Sequence, residues 1–295
     1  MIHYLVHQKD SYTVGWFLSG WGLPLARRFR ILGYEGLPSL KQLPPGCYIF
    51  SNLDCLKPEG VEYVASIWDQ LSRASDRARL LNPPRRTLSR FDLLRRLFEA
   101  GLNGFNVHLS HPLPRPRFPV FLRRPMSHDG PLGGLIHDRE DLRAEIDRQG
   151  GELLVVEYCR TADRSGVHRK YSAFRVGDRI IPRHLIFSRN WVQKYPDLVD
   201  PPMIEEEMEY LSANPHEPEI RRVFELAGVD YGRMDYGVVD GRIQVWEINR
   251  NPIITLRKEE YAPAHLPAQE LFVSRMIEAL EALDLDPPGP PIPIN

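Results

Sequence analysis

Three oxygen-bearing side chains stand where strand formers belong. Residues 233–252 read RMDYGVVDGRIQVWEINRNP, and Asp235, Glu247 and Asn249 interrupt runs otherwise rich in Val, Ile, Tyr and Trp. The latter types suit a pleated, half-buried surface; Asp, Asn and Glu do not. Asp240-Gly241 between the runs is a hairpin signal. Side chains alternate faces along a strand, so Glu247 and Asn249 share one. Whether Asp235 joins them depends on the turn. A two-residue loop pairs Val239 with Arg242 and sets Asp235 opposite Trp246, on the wrong face. A three-residue loop over 239–241 pairs Val238 with Arg242 and puts Gly241 at a left-handed bulge position. Asp235 then falls opposite Val245, with Glu247 diagonally adjacent. This second register is the expected one. It gathers two carboxylates and an amide oxygen, hard ligands suited to Mg²⁺ with phosphates completing the shell. Without a cation, such carboxylates repel each other and carry a desolvation cost. An exposed hairpin whose polar face meets water accounts for the same spacing.

Other chemistries find less support. The chain has no Gly-x-x-x-x-Gly-Lys-Ser/Thr loop, no Gly-x-Gly-x-x-Gly and no Gly-x-Ser-x-Gly elbow. His3/His7 and His108/His111 lack Cys or acidic partners at zinc-type distances and read as surface or satisfied histidines. Arg27, Arg28 and Arg30 beside Trp16, Phe17 and Trp21 read as a solvated basic face, with an acidic substrate as the alternative.

Composition sets the frame for these residues. The chain has 295 residues, 42% of them hydrophobic, and a net charge of −1. That is ample for a core, and it gives no global field for nucleic acid or membrane. Three cysteines (Cys47, Cys55, Cys159) form no Cys-x-x-Cys pair or disulfide framework, which suggests a reducing compartment. The first twenty residues carry no secretory pattern, and no apolar run reaches the ~18 residues of a spanning helix. A cytoplasmic protein is expected.

Several elements can be placed from pattern. The N-terminal region reads as strand-poor and rich in Trp, Gly and Pro, with one strand at 47–52. A helix is expected over 61–74, where Val61, Val64, Ile67, Trp68 and Leu71 have helical spacing. A short strand follows and stops at Pro83-Pro84. Ser89 and Asp92 form a capping pattern that opens a helix ended by Gly101. HPLPRPRFP (111–119) is a proline-dense linker, FPVFLRRP (118–125) a strand, and MSHDGPLGG (126–134) a glycine-bearing loop. Residues 138–149 read as a helix, 152–159 as a buried strand, and 169–187 as two strands around Gly177-Asp178. Pro218 opens and Gly228 closes another helix. The hairpin and a last helix over about 267–283 follow, then a tail, DPPGPPIPIN, that reads as disordered. The mixture is α+β.

The hairpin resembles that of the ATP-grasp superfamily, which carries an Asp on one strand, Glu-x-Asn on the next and a small loop ending in Pro, here Asn251-Pro252. By that resemblance Asp235, Glu247 and Asn249 are Mg²⁺ ligands bridging ATP phosphates, with two ions expected and Mn²⁺ as an alternative. Residues 80–102 resemble the segment leading into the ATP region. FPVFLRRP is similar to a strand Pro-x-x-x-Lys-Pro whose lysine touches phosphate. Arg123 stands where that lysine is usual; charge is kept, but a planar fork replaces a compact ammonium. MSHDGPLGG resembles the covering lid, with His128 toward phosphate. VVEYC resembles the hinge, with Glu157 at the hinge, Tyr158 and Cys159 at adenine, and Asp163 at the ribose. HRKYSAFRVGDRIIPRH resembles the next strands and implies Lys170, Arg183 and Arg189 as basic groups reaching phosphate, Arg183 and Arg189 as the catalytic pair.

The resemblance implies an ATP-grasp fold of two α+β subdomains gripping ATP, preceded by a small α/β domain. The expected divisions are 1–84 (N-terminal domain), 85–156 (central subdomain with lid), 157–284 (C-terminal subdomain with metal site) and 285–295 (disordered tail). It further implies an ATP-dependent carboxylate–amine ligase acting on small-molecule or peptide substrates through an acylphosphate. An ATP-binding module without ligase activity and a small-molecule kinase are the alternatives. The oligomeric state stays open, a homodimer among the options.

Overall fold

Five consecutive buried residues at the N terminus, Ile2–Val6, form β1 near the middle of a parallel sheet. The computed structural model describes residues 1–294 except 127–129, 195 and 286. After β1 come α1 (Tyr12–Ser19), β2 (Phe29–Gly33), β3 (Gln42–Leu43), β4 (Gly46–Phe50), α2 (Pro58–Ser72) and β5 (Ala78–Leu81). Four of the strands form an all-parallel sheet in the order β2-β1-β4-β5. A strand-poor N-terminal region is therefore not what the chain forms. Short strands of a covered parallel sheet show no polar/apolar alternation, which is the cue that sequence reading depends on.

The middle of the chain supplies α3 (Arg90–Glu99), β6 (Val107–Leu109), β7 (Val120–Arg123), β8 (Leu132–Ile136), α4 (Arg139–Gln149) and β9 (Leu154–Glu157). The Ser89 side chain accepts the N–H of Asp92, so the expected cap forms, and Asp138 opens α4 by accepting the N–H groups of Glu140 and Asp141. The strands order as β6-β9-β7-β8, all antiparallel. Residues 132–134, expected within a loop, belong to β8, because pairing with β7 satisfies their backbone whatever their glycine content.

The C-terminal half contains β10 (His168–Val176), β11 (Arg179–Ser188), α5 (Pro201–Ala213), α6 (Glu217–Ala227), β12 (Tyr231–Val239), β13 (Arg242–Asn249), α7 (Leu266–Glu281) and β14 (Ile292–Pro293). Its antiparallel sheet runs β11-β10-β12-β13. No pattern announced α5. Its Pro201-Pro202 start reads as a breaker, yet the first turn tolerates proline, and Asp200 caps the N–H of Met203. The expected disordered tail is also corrected. β14 pairs antiparallel with β3, and Ile292 and Ile294, two apart on one face, are buried against the α2 side of the parallel sheet. Proline density disguised an alternating apolar face.

Packing brings the two halves together at the hairpin. Leu93, Leu94 and Leu97 of α3 share an apolar cluster with Met234, Val245 and Ile248, which holds α3 on the hairpin. Beyond β13, Asn251 ties the hairpin to the N-terminal sheet. Its Oδ1 accepts from Tyr4 Oη (3.0 Å), Thr13 Oγ1 (2.7 Å) and Ser51 Oγ (3.1 Å). No helix among the described residues is long and apolar enough to cross a membrane.

Candidate active site

The β12–β13 turn is the two-residue one. Asp240 (φ 50°) and Gly241 (φ 74°) are both left-handed, and Val239 pairs with Arg242. The expected three-residue loop is thus not formed. A two-residue turn alone would send Asp235 to the wrong face. The chain corrects this six residues along: Tyr236 pairs with Val245 but Asp235 pairs with Glu247, leaving Trp246 as the extra residue of a bulge. One inserted residue reverses the side-chain alternation. Asp235 and Glu247 therefore lie directly opposite each other on one face, Asn249 follows on that face, and the shared face is reached by a route the turn did not reveal. On the other side of β12, Ser172 of β10 lies opposite Asp235, so Lys170, two residues before it, shares the face too.

Asp235 is almost fully buried. Its Oδ2 lies 2.7 Å from Lys170 Nζ, and its Oδ1 accepts from Ser172 Oγ (2.8 Å) and Arg233 Nε (3.1 Å). Burial alone would raise this carboxyl, but Arg233 and Lys170 hold it well below the usual carboxylate range. Glu247 Oε2 meets Arg90 Nη2 at 3.0 Å and Arg123 Nη2 at 3.5 Å. Burial and the Asp235 charge push Glu247 up, and Arg123, Arg90 and Lys170 outweigh them, so it too is lowered. Arg123 itself is pushed down to about 10 by burial and by its neighbour Arg90, against the pull of Glu247. Two ionised carboxylates are thus ringed by four cationic side chains. Such a surplus of buried positive charge matches an anionic ligand such as a polyphosphate.

The donor set fits a hard divalent cation: two carboxylates held ionised and an amide oxygen on one face. Asn249 Oδ1 accepts the N–H of Asn251 at 2.9 Å, which fixes the amide's orientation. No group of three or more His, Cys, Asp or Glu with metal-holding geometry occurs among the described residues; here the third oxygen is an amide's.

These residues line a cavity of about 1020 Å³. One region of it is apolar, with Phe121, Val156, Tyr158 and Trp191 in its wall. The Trp191 ring stands edge-on to Tyr158 at 5.7 Å and tilted to Phe121 at 5.2 Å. Cys159 also lines the cavity, and the Tyr158 N–H is already taken by the carbonyl of Pro119 at 2.9 Å.

Of the other expected site residues, Glu157 and Arg183 line the cavity but are tied into the scaffold, and Asp163 and Arg189 lie outside its wall. The Glu157 carboxylate is bound into the scaffold, accepting from Asn106 N–H (3.1 Å) and from Arg117 through N–H (3.0 Å), Nε (2.9 Å) and Nη2 (2.7 Å). Asp163 is outside the cavity wall and closes its own turn, accepting from Ser165 and Val167 N–H and from Arg169. Arg189 is exposed and does not line the cavity. Arg183 does line it as the extra residue of a β10–β11 bulge. Its guanidinium is occupied by Ile254 O, Gln269 Oε1 and Tyr261 Oη and lies over the Phe272 ring at 4.4 Å. His128 lies outside the described residues. Sequence reading missed Arg90 and Arg233. Arg233 was legible in principle, two residues before Asp235 and so on its face. Arg90 was not, since only the packing of α3 brings it to Glu247.

No protein-family model and no curated protein matches the sequence. Solved structures do match. D-alanine–D-alanine ligase from Bacillus anthracis complexed with ATP aligns with a TM-score of 0.53 at 12% identity, over 96% of each chain. The ATP-grasp ligase PsnB complexed with a minimal precursor aligns with a TM-score of 0.58 at 12% identity, over 96% of this chain and 98% of that one. A further PsnB structure, with minimal precursor, Mg and ADP, gives 0.51 at 13% identity over 96% and 97%. With three four-stranded sheets, a two-stranded one and seven α-helices among the described residues, the chain has the mixed α/β fold of the ATP-grasp ligases.

Proposed function

We propose that the protein is an ATP-dependent carboxylate–amine ligase that forms an amide or peptide bond through an acylphosphate. One observation carries this reading: Asp235 and Glu247, both held ionised, face each other across a bulged hairpin in the wall of a cavity also lined by Lys170, Arg233 and Arg123, with Arg90 paired to Glu247 from behind. Asp235, Glu247 and Asn249 would hold Mg²⁺. When bound, the ion neutralises phosphate charge and polarises the phosphoryl group that is transferred.

The chain's own groups then have separable tasks. Lys170 and Arg123 grip phosphate oxygens, as charge-assisted donors do. Arg233 reaches the carboxylate face from the same strand as Asp235 and is placed to steady the transferring group, a task first expected of Arg189. The apolar region around Phe121, Tyr158 and Trp191 receives the base. The substrate carboxylate attacks the γ-phosphorus, ADP leaves, and an amine attacks the resulting acyl carbonyl to expel phosphate. No side-chain nucleophile is needed. Residues 85–156 and 157–284 would grip the nucleotide between them, with 1–84 beside the acceptor end.

A second reading is a nucleotide-binding module that transfers nothing. Arg123, in place of a lysine, and the capping of both Asp235 oxygens by Lys170, Arg233 and Ser172 favour it. ADP release measured with Mg²⁺-ATP across a panel of carboxylic acids and amines separates the two. Release that requires both an acid and an amine, with an amide product by mass, supports the ligase. Tight ATP binding without release under any pairing rejects it in favour of the module, and a stable phosphate ester identifies a kinase.

A further inference from the structure

An arginine opens α3, and the helix itself gives it no reason to be there. Arg90 is the first residue after the Ser89 cap, where the helix dipole favours anions over cations. Its side chain is turned inward and is only 10% exposed. Nη1 donates to Pro125 O at 2.8 Å and to Arg124 O at 3.5 Å, and Nη2 donates to Glu247 Oε2 at 3.0 Å. One planar group thus joins α3, the chain just past β7, and β13. Arg90 does not line the large cavity. It lines a small one of about 40 Å³ together with Pro125, Glu247 and Asn249, and so meets the carboxylate from behind.

Each partner of this guanidinium is anchored in turn. Leu93, Leu94 and Leu97 hold α3 on the hairpin. Arg124 donates through Nη1 to Gly150 O at 2.7 Å and through Nη2 to Gln149 O at 3.0 Å, which ties the chain past β7 to the end of α4. Arg123, next along, lines the large cavity and reaches the same Glu247 Oε2 at 3.5 Å. Glu247 and Arg123 belong to different sheets, and Arg90 spans the gap between their backbones. An ammonium offers one nitrogen to both partners; a guanidinium offers two, held in one plane.

We infer that Arg90 is a positioning residue for the divalent ion. By holding Glu247 Oε2 from behind and the end of β7 beside it, Arg90 keeps Oε1 turned to the ion and sets the spacing between the ion and Arg123. The inference rests on the nucleotide- and metal-binding part of the ligase reading. In this role Arg90 touches neither nucleotide nor ion. Groups that orient a metal ligand from outside typically govern metal affinity by about 10- to 100-fold. The charge of Arg90 taken alone repels a cation, so removing only the charge tightens the ion, whereas removing the brace loosens it. The two contributions have opposite signs, and that separates them.

The test uses the full chain with ADP and Mn²⁺. Bound Mn²⁺ is read by loss of the free ion's electron paramagnetic resonance signal, and metal-free ADP binding by calorimetry. Arg90→Lys keeps the charge and loses the fork; Arg90→Gln loses both. Both variants are expected to bind metal-free ADP within about twofold of the unsubstituted protein and to hold Mn²⁺ in the ADP complex about 10- to 100-fold more weakly. Urea titration of each variant gives the folded fraction to which binding is referred. Unchanged Mn²⁺ binding in Arg90→Lys, or tighter Mn²⁺ binding in Arg90→Gln, overturns the assignment in favour of a charge effect. An equal loss of metal-free ADP binding in both variants overturns it in favour of direct phosphate contact. An unsubstituted protein that binds no ADP, with or without Mn²⁺, overturns the nucleotide reading first, before any substitution is made.

Discussion

Glu157 at the end of β9 and Asp235 in the middle of β12 are both buried carboxylates beside arginine, and they are satisfied in opposite ways. Glu157 accepts two backbone N–H groups and a two-pronged Arg117, which stitch β9 to β6 and to the proline-dense linker. The two backbone donors cannot leave without local unfolding. Both residues line the cavity, but Asp235 has only side-chain partners, from Lys170, Ser172 and Arg233. Lysine and arginine side chains can exchange one anion for another at little structural cost. Burial and a low carboxyl pKa are common to both sites. What separates architecture from a candidate site is whether the partners are backbone groups or movable ions.

The sharpest test of that contrast is Glu247→Gln, on the same face as Asp235. It should lower ATP turnover by about 10³-fold, read as ADP release, because charge stabilisation at the transferring group is lost. Glu157→Gln should do the reverse, leaving turnover per folded molecule nearly unchanged and lowering unfolding free energy by about 2–3 kcal/mol in urea titration. If Glu157→Gln silences turnover in folded protein, or Glu247→Gln costs the more stability, the distinction collapses.

The same contrast has a pH signature. Burial pushes the Glu157 carboxyl up, but Arg117, the Asn106 N–H and His108 outweigh it, and its folded value lies below the ordinary 4.5. A depressed folded value stabilises above the unfolded one, and that contribution disappears as pH falls through the folded value. Stability of the unsubstituted protein should therefore drop more steeply below about pH 4.5 than that of Glu157→Gln, as thermal melts at stepped pH would show.

Smaller effects sharpen the comparison further. Asn251→Ala removes one acceptor shared by three hydroxyls of the N-terminal region, from β1, α1 and the end of β4, and should cost about 1–3 kcal/mol of stability, read by the same urea titration. Arg123→Lys should change the KM for ATP by less than about tenfold, since charge is kept while the fork that also reaches Glu247 is lost. A larger change would make Arg123 a specific phosphate ligand rather than one cation among several.

The sequence by itself determined which side chains are out of place on a hairpin and which caps, turns and apolar spacings build the helices around it. These are local matters: Ser89 capping Asp92, Asp138 opening α4 and the glycines that end α3, α4 and α6 act within a few residues. It could not show the parallel N-terminal sheet, whose covered strands lack alternation, or the β14 pairing hidden by proline. Nor could it separate Glu157 and Asp163 from Asp235 and Glu247, since all are carboxylates near basic residues. Tertiary structure alone decided the face of Asp235, through a bulge at Trp246 that no turn rule forecasts, and the meeting of Arg90 with Glu247. The reason is physical. Register and long-range pairing are fixed by burial on the opposite side of each element, a property of the packed whole that no short window of residues contains.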